Sequence, residues 1–278
     1  MNNQTATDHE PYRIVPIAAF RDNYIWLLRQ GDRTDAIVVD PGDAAPVLEY
    51  LAREELRLSA ILATHHHGDH VGGITALRAR FPNIPVYGPA DEAIDTLTVR
   101  LGDGDRLELP PFDACFARFE ILAVPGHTRG HLAYYDRNHL GCGALFCGDT
   151  LFSAGCGRLF EGSARQMQHS LARLKALPPQ TRIYCAHEYT EANLRFARAV
   201  EPDNAALAEY SAHVARLRAA GQPSLPSTLA QELAINPFLR WDAPAVQEAA
   251  SRFRGRPLRD LAEPVEVFAA IREWKDGF

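Results

Sequence analysis

Four residues that commonly bind metal ions fall within six positions of one another: His65, His67, Asp69 and His70. In a looped or extended segment, residues two apart point to the same side, so His65 and His67 can close on one ion. Asp69 and His70 lie a step further along the chain and can reach a second ion. Because imidazole and carboxylate ligands suit zinc, iron or manganese better than calcium or magnesium, the spacing predicts a site for one of those metals.

Three further candidate ligands, His127, Asp149 and His187, each follow an apolar run and sit beside a glycine or a turn. With the first four residues they make two groups of three ligands, and Asp149 is left free to bridge them. A short ligand count at each ion leaves coordination positions open, which is typical of a catalytic rather than a structural metal site.

The remaining histidines and one aspartate receive other interpretations. His66 is expected to point away from its neighbours and not to bind metal. We expect His131 to orient a ligand or its loop, and Asp40, at the end of a predicted strand, is either a carboxylate that orients a ligand or a plain turn residue. Histidines in polar or helical contexts are interpreted as surface residues, namely His9, His139, His169 and His213.

The elements that must position these ligands alternate between strands and helices. Apolar runs predict strands that end where the ligands begin, and this arrangement is typical of an α/β protein with its site at the carboxyl ends of strands. The predicted strands cover 13–20, 24–30, 36–40, 58–64, 116–124, 144–147 and 182–186, and helical spacing covers 44–56 and 72–80.

The character of the chain changes after residue 189. Helical patterns cover 190–200, 203–219, 227–234, 244–253 and 264–275, and no convincing strand remains. We therefore predict a mixed α/β catalytic domain over residues 1–188 and a small helical, substrate-binding domain over 189–278.

Composition narrows the function classes. The chain has 278 residues and a net charge of −6, so it lacks the basic excess of a nucleic-acid binder. Its five cysteines are odd in number and none has C-x-x-C spacing, which favours reduced, buried thiols. The first residues are polar, and no apolar run reaches about 18 residues, so we expect a cytoplasmic monomer without membrane contact.

Four motifs resemble the signature of the metallo-β-lactamase superfamily. They are H-H-H-G-D-H-V-G-G at 65–73, G-H-T-R-G-H at 126–131, G-D-T at 148–150 and A-H-E-Y-T at 186–190. The resemblance implies an αββα sandwich with the site at one edge of two packed sheets, followed here by the small helical domain.

Longer stretches are similar to the glyoxalase II (hydroxyacylglutathione hydrolase) family. They are G-D-T-L-F-S-A-G-C-G-R-L-F-E-G at 148–162, N-P-F-L-R at 236–240 and R-E-W-K-D-G-F at 272–278. The match runs from about Ile14 to the C-terminus, and the helical tail is its most specific part, because most members of the superfamily lack it.

The family resemblance implies a role for each site residue. One ion would be held by His65, His67 and His127, the other by Asp69, His70 and His187, with Asp149 bridging and both aspartates catalytic. The implied cofactor is a pair of divalent ions. Zinc is the expected metal, and iron and manganese also suit these ligands. The implied glutathione contacts are Arg158, Phe160, Tyr189, Arg272 and Lys275. This chain departs from the family pattern at two positions. Several relatives carry a bulkier residue in place of Gly68, and some carry tyrosine in place of Phe160.

The implied reaction is hydrolysis of S-D-lactoylglutathione to D-lactate and glutathione by a metal-bridging hydroxide, the second step of methylglyoxal detoxification. A thiol with a pKa of about 8.5 leaves as thiolate without a strong general acid. Arg272 and Lys275 are three apart on a predicted helix and share a face. From the residues alone a solvated helix end explains this pair better, whereas the resemblance favours a carboxylate clamp.

Other functions fit parts of the pattern. A dioxygenase of the same superfamily would oxidise glutathione persulfide at a single iron, but the seven-ligand set and the helical domain argue against it. A lactonase or a β-lactamase is a second alternative. A non-catalytic metal-binding module, using the helical tail for partners, is a third, and the open coordination positions argue against it.

Overall fold

Two six-stranded sheets face each other and carry the metal-ligand candidates at one edge. The computed structural model describes residues 12–31, 33–109, 117–257 and 263–278. The strands in chain order are β1 (Arg13–Ala19), β2 (Asn23–Arg29), β3 (Asp35–Val39), β4 (Arg57–Leu62), β5 (Val86–Pro89), β6 (Val99–Leu101), β7 (Arg106–Glu108), β8 (Arg118–Ala123), β9 (Leu132–Asp136), β10 (Ala144–Gly148), β11 (Leu151–Phe152), β12 (Gly155–Cys156), β13 (Arg182–Cys185) and β14 (Ser227–Thr228).

The first sheet has the order β1-β2-β3-β4-β5-β6, and the second has the order β14-β13-β10-β9-β8-β7. In the first sheet β1, β2 and β3 pair antiparallel, and β3 to β6 pair parallel. In the second sheet β10 and β13 are parallel neighbours. Strands β3 and β10 are buried along their whole length, as expected where a sheet is covered on both faces.

Helices cover the outer faces of both sheets. They are α1 (Ala44–Arg53), α2 (Gly68–Val71), α3 (Ile74–Arg80), α4 (Ala164–Lys175), α5 (Thr190–Val200), α6 (Ala205–Ala219), α7 (Leu229–Ile235), α8 (Pro244–Arg254) and α9 (Pro264–Asp276). Asp43 begins α1 by accepting a hydrogen bond from the Ala45 backbone N–H at 2.9 Å.

Alternate residues of one strand reach two different cores. Trp26 and Leu28 of β2 pack between the sheets with aromatic residues of the second sheet such as Phe146. Ile25 and Leu27 of the same strand pack on the other face, against α1 and α3. This alternation, with α4 packed on the second sheet, produces the αββα layering that the family resemblance implied.

The helical region is not separated from the sandwich. Its two-residue strand β14 pairs with β13, and α9 packs on α4 as well as on α8. Helix α8 begins with Pro244 and ends at Gly255, whose φ of +62° is a left-handed conformation that glycine adopts readily. The predicted division at residues 188 and 189 stays a prediction.

Most predicted elements are present, with several differences. Strands β5, β6, β7, β9, β11 and β12 and helices α2 and α4 were not predicted, and β14 lies where no strand was expected. The surface interpretation of His139 is wrong, because it is buried with its ring 4.3 Å from that of Tyr12. His169 and His213 are exposed as predicted, and His9 lies outside the described residues.

Two general expectations concern the thiols and the membrane. Cys147, Cys156 and Cys185 are buried free thiols as predicted, Cys142 is a free thiol that is only partly buried, and Cys115 lies outside the described residues. Among the helices of the described segments, none combines the length and the apolar character needed to cross a bilayer.

Candidate metal centre

Four loops bring seven predicted ligands to one edge of the sandwich. The segment after β4 supplies His65, His67, Asp69 and His70, and the loops after β8, β10 and β13 supply the other three, His127, Asp149 and His187. These loops meet because parallel strands of one sheet end at the same edge and the two sheets pack face to face. The structure therefore brings together all seven residues that the sequence predicted as metal ligands.

Backbone shape allows this close approach. Gly148 ends β10 with a φ of +46°, and a Cβ there would lie 2.4 Å from the Thr64 hydroxyl oxygen and 2.8 Å from the His131 ring. Any side chain at position 148 would therefore push the Asp149 loop away from the His65 loop.

The first ligand group consists of three imidazoles that converge on one point. His67 Nδ1 lies 3.1 Å from His65 Nε2 and 3.1 Å from His127 Nε2. These ligand atoms all lie within 4.8 Å of one another, so one ion can contact the three residues together.

The second group lies beside the first, with Asp149 between them. His187 Nε2 and His70 Nε2 are 3.4 Å and 3.6 Å from Asp69 Oδ2. One oxygen of Asp149 is 3.4 Å from His70 Nε2 and 3.3 Å from His187 Nε2. Its other oxygen is 3.4 Å from His127 Nε2 of the first group, so the carboxylate faces both groups.

The far nitrogen of each ring shows which nitrogen is free to bind a cation. His127 Nδ1 is 2.9 Å from the Arg158 carbonyl oxygen, which can only accept, so Nδ1 carries the hydrogen and Nε2 keeps its lone pair. The Thr64 hydroxyl donates to Asp40 at 2.8 Å and therefore accepts from His65 Nδ1 at 3.0 Å. The nitrogens that converge on His67 are thus lone-pair atoms.

A divalent cation fits this arrangement. The buried atoms His70 Nε2 and Asp149 Oδ1 have no hydrogen-bond partner among the described residues, which is costly unless another group meets them. Burial lowers the pKa of His65 well below its usual range, and it also lowers the pKa of His127, which favours the neutral imidazoles that metals bind. Burial alone would raise the pKa of Asp149, but the neighbouring imidazoles of His70 and His187 hold it well below its usual range.

The predicted orienting residues lie where the sequence placed them. Asp40 Oδ2 is 3.0 Å from His70 Nδ1, which fixes that ring from behind. His131 stacks on His65 with ring centroids 4.6 Å apart and accepts a hydrogen bond from the Asp149 backbone N–H at 3.1 Å.

His66 is not a member of any ligand group, as expected. Its backbone N–H donates to Glu92 at 2.8 Å, and its ring pairs with the same carboxylate. The other Glu92 oxygen accepts from the Gly130 N–H at 3.0 Å and from the Thr128 hydroxyl. Glu92 therefore connects the two ligand loops, and no pattern in the sequence indicated this role.

Two more residues were missed. Asp22 Oδ1 is 2.9 Å from His187 Nδ1, and the Asn23 amide donates to Asp69 Oδ2 at 3.1 Å. Both lie in the short gap between the predicted strands 13–20 and 24–30, and nothing in their local spacing indicated a contact with the ligands.

A cleft of about 410 Å³ opens beside the ligand groups. His127 and Asp149 lie in its wall, and so do all five residues predicted to contact substrate: Arg158, Phe160, Tyr189, Arg272 and Lys275. The Tyr189 ring stacks on His187 with centroids 4.6 Å apart, and Phe160 packs edge-on against His127 at 5.2 Å.

The two helical cations of α9 differ from the solvated pair that the residues alone suggested. Arg272 is only 4% exposed, and it donates to the Cys156 carbonyl at 3.0 Å and to Asp276 at 2.9 Å. Lys275 lies over the Phe196 ring at 5.1 Å. Burial and the charge of Arg272 lower the pKa of Lys275 to about 8. The solvated-helix interpretation is therefore wrong for Arg272.

Comparisons with known proteins assign the family. Residues 19–187 match the metallo-beta-lactamase superfamily, and residues 188–278 match the hydroxyacylglutathione hydrolase C-terminus. A hydroxyacylglutathione hydrolase of Nitrosomonas europaea is 52% identical over 95% of this chain and 96% of that protein. The chain belongs to the hydroxyacylglutathione hydrolase family. A relative of the same name from Aliivibrio salmonicida is 54% identical over 95% of this chain and 99% of its own length.

Solved structures confirm the fold class of this family member. ETHE1 from Myxococcus xanthus is 24% identical with a TM-score of 0.60, over 95% of this chain and 97% of that chain. TTHA1623, crystallised in a di-iron-bound form, is 28% identical with a TM-score of 0.54, over 82% of this chain and 100% of that chain. The predicted metallo-β-lactamase fold and family are both confirmed.

Replacing Asp149 with alanine should weaken metal binding and turnover together, because the two ligand groups then lose the carboxylate that faces both. We expect the affinity for at least one ion to fall by about tenfold or more. Metal analysis and zinc titration of the purified variant measure the change. Asp35→Ala, which removes a buried carboxylate paired with Arg57, is the control. If the variant bound two ions and turned over substrate as well as the unmodified protein does, that result would contradict the role of Asp149.

Proposed function

We propose that this protein hydrolyses the thioester bond of S-(2-hydroxyacyl)glutathione, and that S-D-lactoylglutathione yields D-lactate and glutathione. The observation that carries the proposal is the opening of the two ligand groups onto a cleft edged by cationic and aromatic side chains. Relatives that match nearly the whole chain bear the name hydroxyacylglutathione hydrolase, which supports the same reaction.

The proposed cofactor is a pair of divalent ions, held by the two ligand groups with Asp149 between them. Zinc suits these nitrogen and oxygen ligands, and iron and manganese suit them as well. The di-iron form of TTHA1623 supports a pair rather than a single ion. When bound, such a pair supplies Lewis-acid activation of water and of a carbonyl oxygen.

The two proposed catalytic carboxylates would act differently. Asp149 would serve as a fixed negative charge and not as a proton acceptor, because both its oxygens face imidazoles and its pKa is far below neutrality. The Asp69 side chain is 42% exposed, and Asn23 occupies one of its oxygens. Its other oxygen can accept a hydrogen bond from an attacking water and so orient it.

No strong acid is needed on the leaving side, since a thiol of pKa about 8.5 departs as thiolate. The Cys156 thiol lies in the cleft wall, and burial raises its pKa to about 11. It therefore stays protonated near neutral pH, which argues against a thiolate nucleophile and for attack by water.

The proposed glutathione site uses the cations and aromatic rings of the cleft. Arg158 is 66% exposed and can meet a substrate carboxylate together with Lys275. Arg272 is bound by Asp276 and by the Cys156 carbonyl. Part of its side chain lines the cleft, so its positive charge lies beside the proposed carboxylate site. Phe160 and Tyr189 offer ring faces beside the ligand groups.

This arrangement suggests a division of labour between the two parts of the chain. We propose residues 1–188 as the catalytic domain and residues 189–278 as the substrate-binding domain, because Tyr189, Arg272 and Lys275 come from the second part. That the protein acts as a cytoplasmic monomer, with the small thioester as its partner, stays a prediction.

Purified protein should hydrolyse S-D-lactoylglutathione and release D-lactate. A lactoyl thioester of N-acetylcysteamine lacks both glutathione carboxylates, so its kcat/KM should be lower by at least about tenfold, the value of one charge-assisted contact. Equal efficiency on both thioesters would contradict glutathione recognition. Oxygen consumption with glutathione persulfide, without thioester hydrolysis, would favour the mononuclear-iron dioxygenase.

Lys275 should act in binding rather than in the chemical step. A charge-assisted contact is worth about 1.5–3 kcal/mol, so Lys275→Met should raise KM by about ten- to a hundredfold with little change in kcat. Since the pKa of Lys275 is about 8, its charge is present below that pH and is lost above it. The KM of the unmodified protein should therefore rise between pH 7 and 9, and steady-state kinetics should show a smaller rise in the variant. The same KM in both proteins at pH 7 would exclude this contact.

A further inference from the structure

Residues 22–24, which are the last residue of the β1–β2 turn and the first two residues of β2, reach the second ligand group and the segment that carries it. Asp22 contacts the His187 ring at 2.9 Å, and the Asn23 amide donates to Asp69 Oδ2 at 3.1 Å. The next residue, Tyr24, donates its hydroxyl hydrogen to Glu188 at 2.9 Å. This turn, residues 22–24, thus contacts two of the three ligands in the group and the neighbour of one of them.

The backbone holds the turn in place independently of these side chains. The Tyr24 N–H donates to the Ala186 carbonyl at 2.7 Å, and the Glu188 N–H donates to the Asp22 carbonyl at 2.8 Å. Asn23 and His187 also form an isolated antiparallel bridge. The turn of the first sheet is thereby joined to the strand end of the second, so its side chains are presented at fixed positions.

The two contacts prepare the ligand atoms for a cation. The Asp22 carboxylate can only accept, so His187 Nδ1 carries the hydrogen and His187 Nε2 faces Asp69 and Asp149 at 3.4 Å and 3.3 Å. Asn23 is 6% exposed and fixes the half-exposed Asp69 carboxylate through one oxygen. Without it, that carboxylate would have to be ordered by the ion itself.

The first ligand group has different supports. His65 is held by Thr64, and His127 is held by the Arg158 carbonyl. Neither pair includes a residue of the turn. Asp40 supports both groups, through Thr64 and through His70, whereas Asp22 and Asn23 contact ligands of the second group alone.

We propose that Asp22 and Asn23 are positioning residues that set the affinity of the second ligand group for its ion and leave the first group unaffected. The inference rests on the proposed pair of ions. If it is correct, the contacts from this one turn determine whether the protein keeps its second ion when metal is scarce. Outer contacts of this kind are worth about ten- to a hundredfold in metal affinity.

The test is a calorimetric titration of the metal-free protein with zinc. Metal analysis after dialysis then counts the ions that stay bound. Asp22→Ala and Asn23→Ala should bind the first ion with unchanged affinity and the second about ten- to a hundredfold more weakly. Asp22→Asn keeps an acceptor for His187 Nδ1, so it should recover most of the lost affinity and also serves if the alanine variant fails to fold.

Tyr24→Phe is the matched control within the same turn. It removes one hydrogen bond from the turn but touches no ligand, so both affinities should stay as in the unmodified protein. An equal loss in Tyr24→Phe would show that the turn acts only through stability and would overturn the proposal. Unchanged binding of both ions in the alanine variants, or equal loss of both, would overturn it as well. If the unmodified protein itself binds fewer than two ions, the proposed pair fails instead.

Discussion

Four histidine ligands are oriented by a contact between an oxygen atom and Nδ1, the ring nitrogen that points away from the site. A ring whose Nδ1 is bound to a carbonyl, a hydroxyl or a carboxylate must present Nε2 to the site, and His65, His70, His127 and His187 all follow this arrangement. The rest of the centre depends on it, because lone pairs that converge in a buried place are unfavourable unless a cation meets them. The sandwich supplies the acceptors from four different segments of the chain.

The same constraint explains why the site lies at an edge between two sheets. Asp40 directly follows β3, and it supports both Thr64 and His70 on the neighbouring loop after β4. The Asp149 loop can come close to His65 only because Gly148 carries no side chain. The helical region forms part of the cleft wall beside the ligands. It is attached there because Arg272 of α9 donates to the Cys156 carbonyl in the hairpin that follows Asp149. Metal ligands and cleft are therefore built from one continuous set of contacts.

Local patterns in the sequence were sufficient to indicate the seven candidate ligands and most of the long helices, although the 12-residue helix α4 was missed. The spacing of His65, His67, Asp69 and His70 is a property of six residues, and helical periodicity identified α5, α6, α8 and α9 to within about two residues. Short strands such as β11 and β14 contain too few residues to show a period. Contacts between distant segments were also invisible: Asp22 meets His187 across 165 positions, and Arg272 meets Cys156 across 116. The burial of Arg272 depends on such a contact, which is why its solvated interpretation failed.

The proposed metal centre requires two ions, one on either side of Asp149. Anomalous diffraction from crystals of the zinc-loaded protein, recorded on both sides of the zinc absorption edge, tests this most directly. We predict two peaks about 3.5–4 Å apart, one among His65, His67 and His127 and one among Asp69, His70 and His187, with the Asp149 carboxylate between them. A single peak, or two peaks without Asp149 between them, would contradict the account.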